Sequence, residues 1–167
     1  AGVYAKVIPW HPALIIFGRM SVASVALLLF LLVRRESFTL PRRDLLTSIP
    51  LSALLAVHWI TFFAAAQIST VAIGVMSVAT IPIMATFIEP LVHKEKLTLL
   101  NVVVALVAFS GIAVMADQFS LESSNFVGIL LGLFSALCMA LRGIFSRPLV
   151  RRYGGHELMF VRMMIGA

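Results

Sequence analysis

"PALIIFGRMSVASVALLLFLLV", residues 12–33, carries one charged side chain, Arg19, in an otherwise apolar run. As a helix rising 1.5 Å per residue, the run is about 33 Å long, close to the thickness of a bilayer's hydrocarbon core. It is too long and too weakly alternating to be a barrel strand. Only helices and closed barrels satisfy the backbone in lipid, so the run is read as a transmembrane helix. Composition extends that reading to the whole chain: 61% of the residues are hydrophobic and 12% charged, with mean hydropathy +1.07. A water-soluble domain of this size would need far more polar residues to cover its surface.

Apolar runs and their breakers predict an all-α, polytopic bundle. A partial first span ends near Ile8, and the "PWHP" turn leads into a second span over Pro12 to Val33. Further spans follow at Leu45 to Gln67, Thr70 to Val92, Thr98 to Ala116 and Phe126 to Phe145, and a seventh begins near Glu157. Pro50 falls in the first turn or two of the third span, where it is tolerated. Pro82, midway along the fourth, is expected to kink it or to free a carbonyl. The opening "AGVYAKVIPW" has no initiator methionine and no signal-peptide pattern, and the closing "FVRMMIGA" stops inside an apolar run, so the sequence is expected to be a window on a longer protein.

The connections sort by charge. Arg34, Arg35, Arg42 and Arg43 lie between the second and third spans, Lys94 and Lys96 between the fourth and fifth, and Arg147, Arg151 and Arg152 between the sixth and seventh. The alternate connections, "PWHP", the turn at "QIST" and "DQFSLESSN", contain neither Lys nor Arg. Positive charge gathers on the cytoplasmic side, so the N-terminus is placed in the cytoplasm and the even-numbered spans run inward. The same rule accounts for the net charge of +6 without nucleic acid, because the basic residues flank membrane runs and form no continuous polar face. Cys138, the single cysteine, reads as a small packing residue.

"FGRM" at residues 17–20 is echoed by "FVRM" at residues 160–163, with Phe17, Arg19 and Met20 matched by Phe160, Arg162 and Met163. Each follows a turn containing Pro or Gly together with His, and five spans separate the two helices. The odd number inserts the copies in opposite directions, as in an inverted-topology repeat.

With these features in place, the run "HWITFFAAAQISTVAIGVMSVATIPIMATFIEPLVHKEKLT", His58 to Thr98, resembles the third and fourth helices of EamA-type permeases of the drug/metabolite transporter superfamily. "GILLGLFSALCMALRGIFSRPLVRRYGGHELMFVR" resembles the opening of their second repeat. The resemblance implies ten helices in two inverted five-helix repeats with a substrate cavity between them. Residues 1–117 would then belong to the first repeat, lacking most of its first helix, and residues 126–167 to the start of the second.

Four basic residues remain outside the connections: Lys6, Arg19, Arg142 and Arg162. A cation at bilayer depth costs roughly 2.5 kcal/mol or more, so each needs a reason. Lys6 and Arg142 lie about a turn from the ends of their predicted helices and are expected to snorkel to the headgroups. Arg19 lies about 10 Å inside its span, near the limit of a snorkel. Either it anchors the fold by pairing with a helix carbonyl, or it faces a cavity and binds anionic substrate groups; Arg162 takes the same two readings by position. His58 reads first as a helix-to-helix hydrogen bond and second, with Trp59 and Gln67 on the same helix, as a substrate or proton-coupling group. Glu89, beside Pro90, reads as interfacial. Gly128, Gly132, Ala136 and Ala140 form a small-residue ridge suited to internal packing or, alternatively, to a homodimer. Gly74, Ser77 and Thr80 before Pro82 suit packing or a cavity wall.

The expected function is a secondary transporter moving a small metabolite, such as an amino acid or a drug-like compound, by alternating access. Its substrate-binding candidates are Arg19, His58, Trp59, Gln67, Thr80 and Arg162. No phosphate-cradling nucleotide motif, cofactor signature or metal-ligand set is present, which leaves a proton or ion gradient, or exchange, as the energy source. A non-transporting scaffold and a membrane-embedded enzyme are the competing classes. The second lacks a nucleophile–base pair or paired carboxylates.

Overall fold

The computed structural model describes residues 10–34, 41–116, 123–153, 158–159 and 165. Six helices account for nearly all of them: α1 (Pro12–Arg34), α2 (Arg42–Ile68), α3 (Val71–Ala79), α4 (Ile81–His93), α5 (Leu99–Ala116) and α6 (Ser123–Arg152). No strand occurs among the described residues. The partial first span, Lys6, Arg162 and most of the seventh span lie outside them.

Four stretches among the described residues are long and apolar enough to cross a membrane: Pro12–Phe30, Arg42–Ile68, Val71–His93 and Ser124–Arg152. Large apolar side chains face outward along them, among them Phe17, Val22, Val75 and Phe134, each at least half exposed. In water that surface would drive aggregation, whereas in lipid it is the solvated face.

The centre of the bundle is the pair α2 and α6, which make the most extensive contact in the fold. Their close approach follows from the small-residue ridge of α6. Ala136 and Ala140 are buried, and a Cβ at Gly128 or Gly132 would collide with the side chains of Ser69 or Ser77. The ridge therefore packs inside the chain, against the end of α2 and against α3. On the other side α1 buries a stripe at four-residue spacing, Ile16, Met20 and Ser24, and the first two join Leu55, Phe62, Phe63 and Ala66 of α2 in one apolar cluster.

The expected kink at Pro82 is present. The predicted fourth span is divided into α3 and α4 at Thr80, which ends one helix and opens the next. Pro82 has no N–H to offer the preceding turn, and the break is stitched by Thr80, whose amide and hydroxyl both donate to the Ser77 carbonyl, at 3.1 and 2.6 Å.

Helix ends differ from the sequence-based expectation. The third span starts at Arg42 instead of near Leu45, which puts Pro50 in its third turn, and the sixth runs from Ser123 to Arg152 instead of Phe126 to Phe145. Apolar runs mark what lipid covers, whereas a helix continues into the interface wherever charged residues of good helix propensity follow. Arg42, Arg43, Arg147, Arg151 and Arg152 are accordingly helical residues and not loop residues. Pro148 does not end α6 because the carbonyl it orphans, that of Ile144, has a substitute donor: His93 Nε2 at 3.3 Å.

The longer α6 also corrects the reading of Arg142. Ten residues of helix now follow it, about 15 Å, so it does not sit one turn from the end and does not snorkel. Its Nη1 reaches the sulfur of Met139 at 3.9 Å, and its Nε is buried without a partner.

Candidate functional site

The second span of the sequence, α1, delivers Arg19 beside its buried stripe, and α2 delivers Trp59. The two meet with the guanidinium carbon 4.1 Å from the centroid of the indole ring, a cation–π contact. Trp59 is held from several sides. Phe62 lies edge-on at 5.8 Å, Phe63 is tilted at 6.2 Å, and His58 is edge-on at 5.0 Å between ring centroids. Residues three and four apart on a helix share a face, which is how α2 gathers Trp59, Phe62 and Phe63 behind the guanidinium.

His58 points the other way, into the α2–α6 contact, and is buried. Its Nδ1 lies 2.9 Å from both the carbonyl and the hydroxyl oxygen of Ser135, and the Ser135 hydroxyl donates to the His58 carbonyl at 2.8 Å. With the proton assigned to Nδ1 every one of these groups is satisfied, so the imidazole and the hydroxyl form a reciprocal pair across the helices. This is the helix-to-helix hydrogen bond that the sequence suggested as the first of its two readings. Its partner Ser135 carries no signal in a single sequence, since nothing local marks it off from other serines.

The remaining candidates are dispersed. Gln67 Nε2 donates to the Trp10 carbonyl at 3.1 Å, tying the end of α2 to the turn before α1. Thr80 is occupied at the kink, one span away. Arg162 lies outside the described residues. Arg19 and Trp59 are thus brought together, with His58 behind them, while Gln67 and Thr80 serve other contacts.

A second polar cluster, not foreseen as such, lies at the Lys/Arg-rich end. Arg147 Nη1 donates to Glu89 Oε1 at 2.8 Å and to both oxygens of Glu95 at 3.1 Å, joining α4 and the turn after it to α6. Glu89, expected only as an interfacial residue, is an ion-pair partner. A cleft of about 510 Å³ between α4 and α6, lined by Ala85, Glu89, Gly143, Arg147 and Arg151, opens beside it. Across the same end, Asp44 in the first turn of α2 accepts hydrogen bonds from the Tyr153 hydroxyl and from Arg152 Nη1. The Asp44 carboxylate holds the Tyr153 phenol above its usual range, because ionising the phenol would end that hydrogen bond and place two anions in contact.

A bundle of membrane-length helices, one of them carrying an arginine that lies over a tryptophan of the next, defines an integral, multi-pass membrane protein. Residues 1–116 match the EamA-like transporter family, and the chain belongs to that family, within the drug/metabolite transporter superfamily. No curated protein and no solved structure matches it.

Proposed function

We propose that the protein is a secondary transporter that moves a small metabolite, such as an amino acid or a drug-like compound, across the cytoplasmic membrane by alternating access, with its N-terminus in the cytoplasm. Membership of a transporter family sets the class. The observation that carries the site is the Arg19 guanidinium over Trp59, an exposed cation seven residues inside a membrane-length helix. Ionisable groups at that depth are costly and mark substrate or ion pathways. The break at Thr80 and Pro82 supports the reading as well. It divides one span into two shorter helices, and discontinuous helices are where transporters place their binding sites and their moving parts.

In this reading residues 1–117 and 126–167 belong to oppositely inserted repeats, Arg19 and Trp59 line the substrate path, and His58 braces Trp59 from the side of α6. The test is flux of a broad panel of amino acids and drug-like cations, anions and neutral compounds through the full-length protein in proteoliposomes. Saturable uptake above that of protein-free vesicles is expected for at least one compound, with a loss of about tenfold or more in Arg19→Ala. Absence of saturable flux across the panel, or normal flux in a well-folded Arg19→Ala, overturns the assignment.

A further inference from the structure

We infer that Arg19 and Trp59 recognise a small monocarboxylate with an apolar or aromatic body; the inference rests on the transporter reading and names the substrate class of its site. Arg19 lies seven residues inside α1, about 10 Å along the helix. Among the described residues its guanidinium has the Trp59 ring as a contact but no hydrogen bond and no ion pair. The sequence has seven carboxylates, Glu36, Asp44, Glu89, Glu95, Asp117, Glu122 and Glu157, and none falls within α1 or in the part of α2 that faces it. Asp44 is engaged by Tyr153 and Arg152, while Glu89 and Glu95 are engaged by Arg147.

A second cation in the apolar region has the same deficit. Arg142 has a buried Nε without a partner, and its Nη1 is spent on Met139, which packs against the cluster that Trp59 also joins. Two guanidinium groups near one apolar cluster, neither balanced by a carboxylate among the described residues, set up a field that favours an anion.

Geometry selects the anion. With its carbon 4.1 Å over the indole ring and no hydrogen-bond partner among the described residues, the guanidinium keeps N–H donors of its planar fork for a bidentate carboxylate. The cation–π contact offsets no more than the insertion cost of one arginine, so a paired anion still gains from the site. The half-buried Trp59 ring and Ile15, one turn before Arg19 and packed on the same cluster, add an apolar surface that would contact an apolar body and gains nothing from a sugar or a polyanion.

The experiment measures binding of acid and amide pairs that share one body: N-acetylphenylalanine with N-acetylphenylalaninamide, and the corresponding leucine and glycine derivatives. Equilibrium binding to the full-length protein in detergent gives the affinity ratio within each pair. The wild type is expected to favour the acid by about tenfold or more for the phenylalanine and leucine pairs, and to bind the glycine acid more weakly. Arg19→Gln brings the ratio to near one. Arg19→Lys keeps a smaller preference, since it retains charge without the fork. A wild-type ratio near one in all pairs overturns the inference without any variant, as does a tenfold preference that survives in folded Arg19→Gln. Failure here is separable from failure of the transporter reading: saturable flux of neutral or cationic compounds alone leaves transport standing and removes the carboxylate.

Discussion

His93 Nε2 donates to the Ile144 carbonyl, the one acceptor in α6 that Pro148 leaves without a helical N–H. The bond crosses from the end of α4 to α6 and sits one turn from the Arg147 cluster. It shows how a proline can lie inside a long helix without ending it, because the missing donor is supplied by another element.

That substitution of donors can be measured. His93→Ala leaves a partly buried carbonyl unpaired and should destabilise the protein by about 1–2 kcal/mol. Pro148→Ala restores the backbone donor, so His93→Ala made on top of it should cost much less. A double-mutant cycle on unfolding in mixed detergent micelles reads the coupling, expected at about 1 kcal/mol; additive effects would mean that the two residues do not serve the same carbonyl.

The contrast between His93 and the apolar runs explains what a single sequence discloses here. The four described membrane-length stretches and the interruption near Pro82 are written in local pattern, since lipid demands about 20 apolar residues and proline removes a specific hydrogen bond. Arg19 stood out for the same reason, as a cost needing an explanation. Its position over Trp59, 40 residues later, depends on how α1 docks on α2, and no local pattern encodes that. Likewise the true end of α6 depended on His93, some 50 residues earlier. Ending the sixth span at Phe145, where the apolar run stops, misplaced Arg142 and the last three arginines together.

His58 and Ser135 form a reciprocal pair, so removing either side strands polar atoms of the other. Ser135→Ala is expected to cost about 0.5–1.5 kcal/mol, in the range of interhelical hydrogen bonds within membranes. His58→Leu in the Ser135→Ala background should add less than His58→Leu alone. Unfolding of the four proteins in detergent checks this, and strictly additive losses would contradict the pairing.

Tyr153 and Asp44 give a pH dependence whose sign follows from the bond. The phenol must be protonated to donate, so its folded pKa is raised above the unfolded value near 10. The contribution to stability is therefore fully present below about pH 10 and is lost as the pH rises through the higher folded value. Ultraviolet titration of the full-length protein with every tyrosine other than Tyr153 changed to phenylalanine should place Tyr153 above a free tyrosine, and Asp44→Asn should return it toward the ordinary value. An unshifted titration in the parent would refute the contact.

Gly132 and Ser77 offer the sharpest steric test, because the closeness of α6 to α3 rests on a missing side chain. A Cβ on Gly132 would run into Oγ and Cβ of Ser77, whose hydroxyl is already turned back to the Ile73 carbonyl at 2.8 Å and cannot swing clear without breaking that bond. Gly132→Ala should therefore destabilise by about 1–3 kcal/mol despite alanine's better helix propensity, as overpacking does elsewhere. Ser77→Gly removes both clashing atoms, so the exchange Gly132→Ala with Ser77→Gly should recover more than half of that loss, less the cost of about 0.5–1 kcal/mol for a new helical glycine. Gly143, on the same helix, is the control: a Cβ there meets nothing within 4 Å, and Gly143→Ala should be neutral or stabilising by up to about 1 kcal/mol. Equal effects of alanine at 132 and 143, measured by thermal unfolding in one detergent, would show that α6 does not approach α3 through its glycine.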